Sequence, residues 1–250
     1  MLTDNPAIPL NAILKSEAFL KSQSSLAAPL GRTLEGRDLI MDLAELSPLL
    51  ISGCTGSGKS MFLHMVIHSL QSRNSPDKLN FLLIDPKRVE FYIYQSSPYL
   101  RYPVAYSDQE ELYCLDEVVE KMNDHLDSGK SNPGEKPAAI VVIIDEFSDL
   151  ILNCRKRFRK RITTIASHGK EANIHLILST SIPSTRIITR AIKNHFPNRM
   201  AFRMARWEDS IYFLGQPGAE QLLGDRNLLL KRKDSKTLIK LKGYYMPGEV

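Results

Sequence analysis

The chain has 250 residues, of which 43% are hydrophobic and 24% are charged, and its formal net charge is +5. These values are typical of a globular protein with enough length for one large domain or two small ones. The longest apolar run, residues 138–144, is too short to span a bilayer, and the first residues lack a signal-peptide pattern, so we expect a cytoplasmic protein without a transmembrane segment.

The N-terminal part of the chain leads toward a buried strand and a helix. Residues 1–30 mix proline, serine and alanine with one short amphipathic stretch, 10–20, and we interpret them as a lead-in segment. The apolar residues 49–51 predict a buried strand, and the apolar stretch 61–70 predicts a helix that ends near residue 72.

The segment between this strand and this helix matches the phosphate-binding pattern G-x-x-x-x-G-K-[ST]. Its glycines let backbone N–H groups turn toward a phosphate, and the helix N-terminus adds a partial positive charge. A Gly/Ser-rich turn with a surface lysine is the alternative, which the strand–loop–helix order disfavours. We predict that Lys59 reaches the β/γ-phosphates, that Ser60 ligates Mg²⁺, and that the ATP-binding residues are Gly53, Cys54, Thr55, Gly56, Ser57, Gly58, Lys59, Ser60 and Met61.

The remainder of the chain alternates apolar strands with helices. Strands are predicted at 80–84, 139–144 and 174–179, and helices at 108–126, 155–168 and 184–194, with a polar loop at 127–137. After residue 199 the pattern predicts short strands and turns, including a hairpin formed by 227–233 and 236–242. This order predicts an α/β fold, with a mostly parallel sheet covered by helices on both faces.

Two acids, Asp145 and Glu146, follow the strand predicted at 139–144. Adjacent acids after an apolar strand are costly unless they face a cation or solvent. Together with the phosphate loop they predict a nucleotide-hydrolysing site, in which Asp145 holds Mg²⁺ with Ser60 and Glu146 polarises the attacking water. The alternative is a strand that simply reaches the surface at its end.

Several ordered segments resemble the motor domain of the FtsK/SpoIIIE DNA translocases, and the likeness runs from about residue 10 to the end. The matching segments are Leu30-Gly31, Gly36, Asp42-Leu43, the phosphate loop, 81–87 (FLLIDPK), 144–150 (IDEFSDL), 174–180 (IHLILST), 197–202 (PNRMAF) and 218–224 (GAEQLLG).

The resemblance implies a RecA-like P-loop NTPase fold, with residues 31–250 as the motor domain. It implies a ring, in this family a hexamer, that encircles duplex DNA and couples ATP hydrolysis to DNA movement, with ATP and Mg²⁺ bound. It assigns catalysis to Glu146, Lys59 and Arg199, the last acting from a neighbouring subunit.

The chain departs from the family pattern at two positions. Ser181 replaces a glutamine that is thought to sense the γ-phosphate, and Ile211 replaces an arginine. These departures keep open an ATP-binding ring protein with impaired hydrolysis. A second alternative is a secretion-type ATPase that moves polypeptide, because such ATPases share this motor fold. A third is a DNA-binding module with a vestigial phosphate loop, which the intact Lys59, Asp145 and Glu146 disfavour.

Basic residues after two of the predicted strands are candidates for contact with duplex DNA. A translocase needs sequence-independent phosphate contacts, which lysine and arginine supply. We predict DNA contacts at Arg155, Lys156, Arg157, Arg186 and Arg190, and the alternative is that these side chains are solvated or line subunit interfaces. The resemblance also leaves room for an anchor or loading partner.

Overall fold

The strands of the computed structural model form one mixed sheet. The structure describes residues 8–131, 137–153 and 155–246, without the side chains of residues 129–131, 153 and 155. The strands in these residues are β1 (Ala27–Thr33), β2 (Asp38–Asp42), β3 (Leu49–Ser52), β4 (Leu79–Ile84), β5 (Ala139–Ile144), β6 (Ile174–Thr180), β7 (Asn198–Phe202), β8 (Asn227–Lys231) and β9 (Ile239–Lys242). Their spatial order is β2-β1-β9-β8-β7-β3-β6-β5-β4.

Helices cover both faces of this sheet. They are α1 (Leu10–Leu14), α2 (Glu17–Leu20), α3 (Leu43–Leu46), α4 (Lys59–Gln71), α5 (Asp108–Ser131), α6 (Phe147–Asn153), α7 (Arg155–His168), α8 (Arg190–His195) and α9 (Trp207–Leu214). The apolar side chains of α1, α3 and α4 belong to one core, and those of α5 to α9 belong to the other. Successive residues of β5 enter the two cores alternately, which explains its continuous apolar sequence.

The strands β7, β3, β6, β5 and β4 are parallel, so their carboxyl ends meet at one edge of the sheet. Both the phosphate loop after β3 and the acids after β5 leave the sheet at this edge. The predicted α/β class, with a parallel sheet covered on both faces, is confirmed, and ligands of such sheets bind at this edge.

An antiparallel extension continues the sheet beyond β7, through β8, β9, β1 and β2. The predicted hairpin is confirmed as β8 and β9, although their connection is longer than expected. The N-terminal segment packs on the core: Leu10 and Ile13 are buried, and the Leu10 N–H donates to the Tyr245 carbonyl at 2.7 Å. The domain division between residues 30 and 31 stays a prediction, and in the structure it falls within β1.

Several predicted boundaries are wrong for identifiable reasons. The helix predicted at 184–194 is shorter, because Thr189 caps a helix that begins only at Arg190. Residues 207–214 form α9 where strands and turns were expected, and α5 extends into the loop predicted at 127–137. No helix among the described residues has the length and apolar composition needed to cross a membrane.

Candidate functional site

The phosphate loop joins β3 to α4 with little free space around its backbone. Gly58 precedes the first residue of α4 with φ 110°, a left-handed conformation that favours glycine. A Cβ at Gly53 would lie 2.7 Å from the Cβ of Phe202, and one at Gly58 would lie 3.1 Å from the Cα of Arg226. The glycines therefore allow the loop to pack against β7 on one side and the segment before β8 on the other.

Lys59 lies within this loop with only 6% of its surface exposed. Its ammonium group donates to the carbonyl oxygens of Gly53 at 2.7 Å and Cys54 at 3.1 Å. Burial lowers the pKa of Lys59, while the carboxylates of Glu146 and Asp145 oppose that shift. The lysine is thus held at the base of a cavity that also contains the two acids.

Asp145 follows β5 and is buried, and its Oδ1 has no hydrogen-bond partner in the described part of the chain. Burial raises the pKa of Asp145 to about 6. A buried carboxylate oxygen without a donor fits a cation ligand, and Ser60 lines the same cavity. Asp145 and Ser60 are therefore chemically suited to share a Mg²⁺ ion.

Glu146 is 7% exposed and has left-handed backbone geometry, with φ 46°. The hydroxyl groups of Ser181 and Ser148 donate to its Oε2, at 2.8 and 3.4 Å. The ammonium group of Lys87 lies 3.5 Å from the same oxygen. The carboxylate is thus fixed by three side chains at the rim of the cavity.

The cavity that contains these groups has a volume of about 650 Å³. Lys59, Ser60, Asp145 and Glu146, the residues predicted to bind phosphate and Mg²⁺ and to catalyse hydrolysis, all line it. The phosphate-loop residues Thr55, Gly56, Gly58 and Met61 also line it.

Five cavity-lining residues were not among the predicted site residues: Lys87, Val89, Glu90, Asp225 and Arg226. Lys87 and Glu90 lie on the loop after β4, where Asp85 accepts hydrogen bonds from the N–H groups of Glu90 and Phe91 at 2.8 and 3.0 Å. A hydrogen bond from His64, opposed by burial, lowers the pKa of Glu90.

Asp225 and Arg226 approach the phosphate loop from the opposite side, both with left-handed backbone geometry. The Asp-Pro-Lys segment at 85–87 is the only sequence signal that pointed toward this set. Nothing in the sequence indicated that residues 225 and 226 return to the phosphate loop.

Arg199 lies on β7, 8% exposed, and its guanidinium group donates to the backbone carbonyls of Phe196, Phe213 and Lys193 at 2.9, 3.2 and 2.9 Å. It does not line the cavity described above. Its catalytic role stays a prediction, which requires these three hydrogen bonds to break or a neighbouring subunit to reach it.

The candidate DNA contacts lie on α7 and around the start of α8. Lys156 and Arg157 are exposed on α7, and Arg186 and Arg190 are exposed at and before the start of α8. The side chain of Arg155 lies outside the described residues. Two clusters of solvent-exposed cationic side chains, one on α7 and one around the start of α8, are therefore available to bind a polyanion.

Neighbouring side chains of α7 serve the fold instead. Phe158 is fully buried in the core. The guanidinium group of Arg161 forms two hydrogen bonds of 2.6 Å with Asp116 on α5. The side chains of α7 are thus divided between a face that packs on the protein, with Phe158 and Arg161, and a solvent-exposed free face, with Lys156 and Arg157.

Comparison with known proteins gives the chain clear relatives. The sequence model of the FtsK/SpoIIIE family matches residues 9–131. The DNA translocase FtsK of Haemophilus influenzae is 34% identical over 281 residues, covering 97% of this chain and 53% of that protein. The FtsK of Helicobacter pylori is 35% identical over 249 residues, covering 94% of this chain and 30% of that protein. The chain thus spans only about half or less of the length of these relatives.

Two solved structures share the fold. The cytoplasmic domain of the Thermomonospora curvata type VII secretion ATPase EccC matches with a TM-score of 0.78 and 23% identity, over 98% of this chain and 33% of that one. The pCW3 conjugation coupling protein TcpA, a monomer form with ATPγS, matches with a TM-score of 0.79 and 21% identity, over 96% of this chain and 70% of that one. These likenesses assign the chain a RecA-like P-loop ATPase fold.

Proposed function

Because the chain belongs to the FtsK/SpoIIIE family, we propose that it is the ATPase motor segment of a double-stranded DNA translocase. The observation that supports this most is the meeting of Lys59, Ser60, Asp145 and Glu146 in one cavity. The same proposal includes a homo-oligomeric ring, a hexamer as the family resemblance implies, working in the cytoplasm.

The residues of the cavity divide the chemistry of ATP hydrolysis among them. The backbone N–H groups of the phosphate loop and the N-terminus of α4 cradle the phosphates, and Lys59 exchanges its two carbonyl partners for phosphate oxygens. Glu146 acts as the general base toward water. Ser60 and Asp145 would hold Mg²⁺, which when bound neutralises phosphate charge.

The exposed cations of α7 and α8 supply the DNA contacts in this proposal. Both helices follow strands whose carboxyl ends point to the cavity, so a change there can be transmitted to the basic side chains. Contacts to phosphates alone suit movement along any sequence.

The decisive experiment is ATP turnover with and without long duplex DNA, with Lys59→Ala as the blank. We expect DNA to stimulate turnover and Lys59→Ala to lower it by about a hundredfold or more, as for loss of one preorganised electrostatic contact. Turnover that is unchanged in Lys59→Ala would contradict the site assignment.

Two alternatives give different results in the same assay. Binding of ATP without turnover would favour a ring-forming protein with impaired hydrolysis, as the replacements at Ser181 and Ile211 suggest. Stimulation by polypeptide rather than DNA, with little salt dependence, would favour a secretion-type ATPase, because phosphate contacts weaken steeply with salt.

A further inference from the structure

Among the residues that the structure describes, side chains hold the carboxylate of Glu146 from one side only. All three side-chain contacts recorded for it among the described residues meet Oε2: Ser181 at 2.8 Å, Ser148 at 3.4 Å and Lys87 at 3.5 Å. The contact from Ser181 is the shortest of the three. Because Oε2 is occupied by donors, Oε1 is the oxygen left to accept a proton.

The backbone fixes both partners of the shortest contact. The strands β5 and β6 are adjacent and parallel, with Ile144 opposite Leu178, so the segments that follow them leave the sheet side by side. Glu146 turns away with φ 46°, and the N–H of Ile182 donates to the Thr180 hydroxyl at 3.1 Å, which fixes the turn that carries Ser181. The hydrogen bond therefore joins two positions with little freedom.

We propose that Ser181 is a positioning residue for the catalytic base, orienting Glu146 so that Oε1 faces the attacking water. This inference rests on the proposed ATPase function. A serine at this position is too short to reach a phosphate as a glutamine does, but it has the right length to hold the neighbouring carboxylate. The departure from the family pattern is thus a change of partner, from the nucleotide to the base.

Steady-state turnover of the full chain with long duplex DNA tests the proposal in Ser181→Ala, Ser181→Thr and Ser181→Gln. We expect Ser181→Ala to lower kcat about tenfold, a part of the 10²–10⁴ that a positioned general base contributes, and to leave the KM for ATP unchanged. Ser181→Thr keeps the hydroxyl and retains most of kcat. Ser181→Gln loses the short hydrogen bond to Glu146, so we expect its kcat to fall as much as that of Ser181→Ala.

The controls separate positioning from a merely structural effect. Ser184→Ala, three residues further along the same segment, should leave kcat and KM unchanged. In a Glu146→Gln background, Ser181→Ala should cause no further loss, because Ser181 acts through Glu146. If Ser181→Ala and Ser181→Thr both have lower melting temperatures and lose kcat to the same extent, Ser181 has a structural role and the proposal is overturned.

The remaining outcomes are also decisive. If the parent hydrolyses ATP and the kcat of Ser181→Ala lies within twofold of the parent value, this inference is overturned and the proposed function stands. A gain of activity in Ser181→Gln overturns it in the same way. A parent that binds ATP but shows no turnover with or without DNA overturns both together.

Discussion

Three cationic side chains converge on the end of one helix. Lys193, Arg199 and Lys231 donate to the carbonyl oxygens of Tyr212, Phe213 and Leu214, the last three residues of α9, with the Arg199 and Lys231 contacts at 3.2 and 2.5 Å. The final carbonyls of a helix lack partners within it, and cations there also oppose the helix dipole. Arg199 therefore serves the fold in this structure.

Replacing Arg199 by alanine should destabilise the protein. Three backbone carbonyls would lose a charged donor, so we expect the free energy of unfolding to fall by about 2–4 kcal/mol, given about 1.5–3 kcal/mol for one hydrogen bond to a charged group. Denaturant unfolding measures this. A variant with unchanged stability and lost turnover, restored by mixing with a subunit that carries Arg199 but lacks Glu146, would instead support the catalytic role in trans.

At the scale of elements, the sequence predicted best those strands and helices whose structure depends on their own residues and not on a distant partner. The strands β3, β4, β5 and β6 were predicted within a residue or two, because each is a mostly apolar segment that is buried on both faces. The helix α9 was missed because its eight residues include an exposed tryptophan and isoleucine, which obscure a helical pattern. The pairing of β1 with β9 was missed because it joins segments from the two ends of the chain, which no local pattern records.

The same distinction explains which residues of the candidate site could be predicted from the sequence. The phosphate loop and the acids after β5 lie in patterned segments, and their meeting follows from parallel strand ends. Asp225 and Arg226 reach the cavity from a loop whose course depends on long-range packing, such as the N–H of Gly243 donating to the Arg226 carbonyl at 2.9 Å. Such contacts have no signature in the sequence.

The free face of α7 gives a prediction about DNA. Replacing Lys156 and Arg157 by glutamine should weaken binding to duplexes of any sequence and reduce the slope of log K against log salt by about 0.9 per lost phosphate contact. Filter binding or fluorescence anisotropy at several salt concentrations measures both. Glutamine at Lys15 and Lys78, exposed lysines elsewhere, removes the same charge and should leave the slope unchanged. Equal effects in both pairs would show that Lys156 and Arg157 are solvated side chains that do not contact DNA.

At the scale of the whole molecule, one buried acid makes stability depend on pH. Burial, followed by the carboxylates of Asp108 and Glu110, raises the pKa of Glu111 from 4.5 to about 8. Its Oε2 lacks a hydrogen-bond partner among the described residues. Between about pH 4.5 and 8 the unfolded chain releases this proton while the folded chain keeps it, so the fold loses stability as pH rises.

Replacing Glu111 by glutamine should remove this dependence. The melting temperature of Glu111→Gln should match the parent near pH 5 and exceed it near pH 8, by about 2–4 °C for each kcal/mol of stability regained. Calorimetry at the two pH values checks it. Glu120→Gln, at an exposed position of the same helix, is the matched control and should bring no gain. An equal shift at both pH values would contradict the assignment.

The pairing of β1 with β9 has a consequence for how the protein is made. β1 leaves the ribosome early with β2 on one side, but its other partner, β9, is synthesised more than two hundred residues later. Until then β1 presents an open edge of unpaired N–H and carbonyl groups, which other nascent chains can join. We expect this interval to be the period of greatest aggregation risk, and slower translation before β9 to extend it.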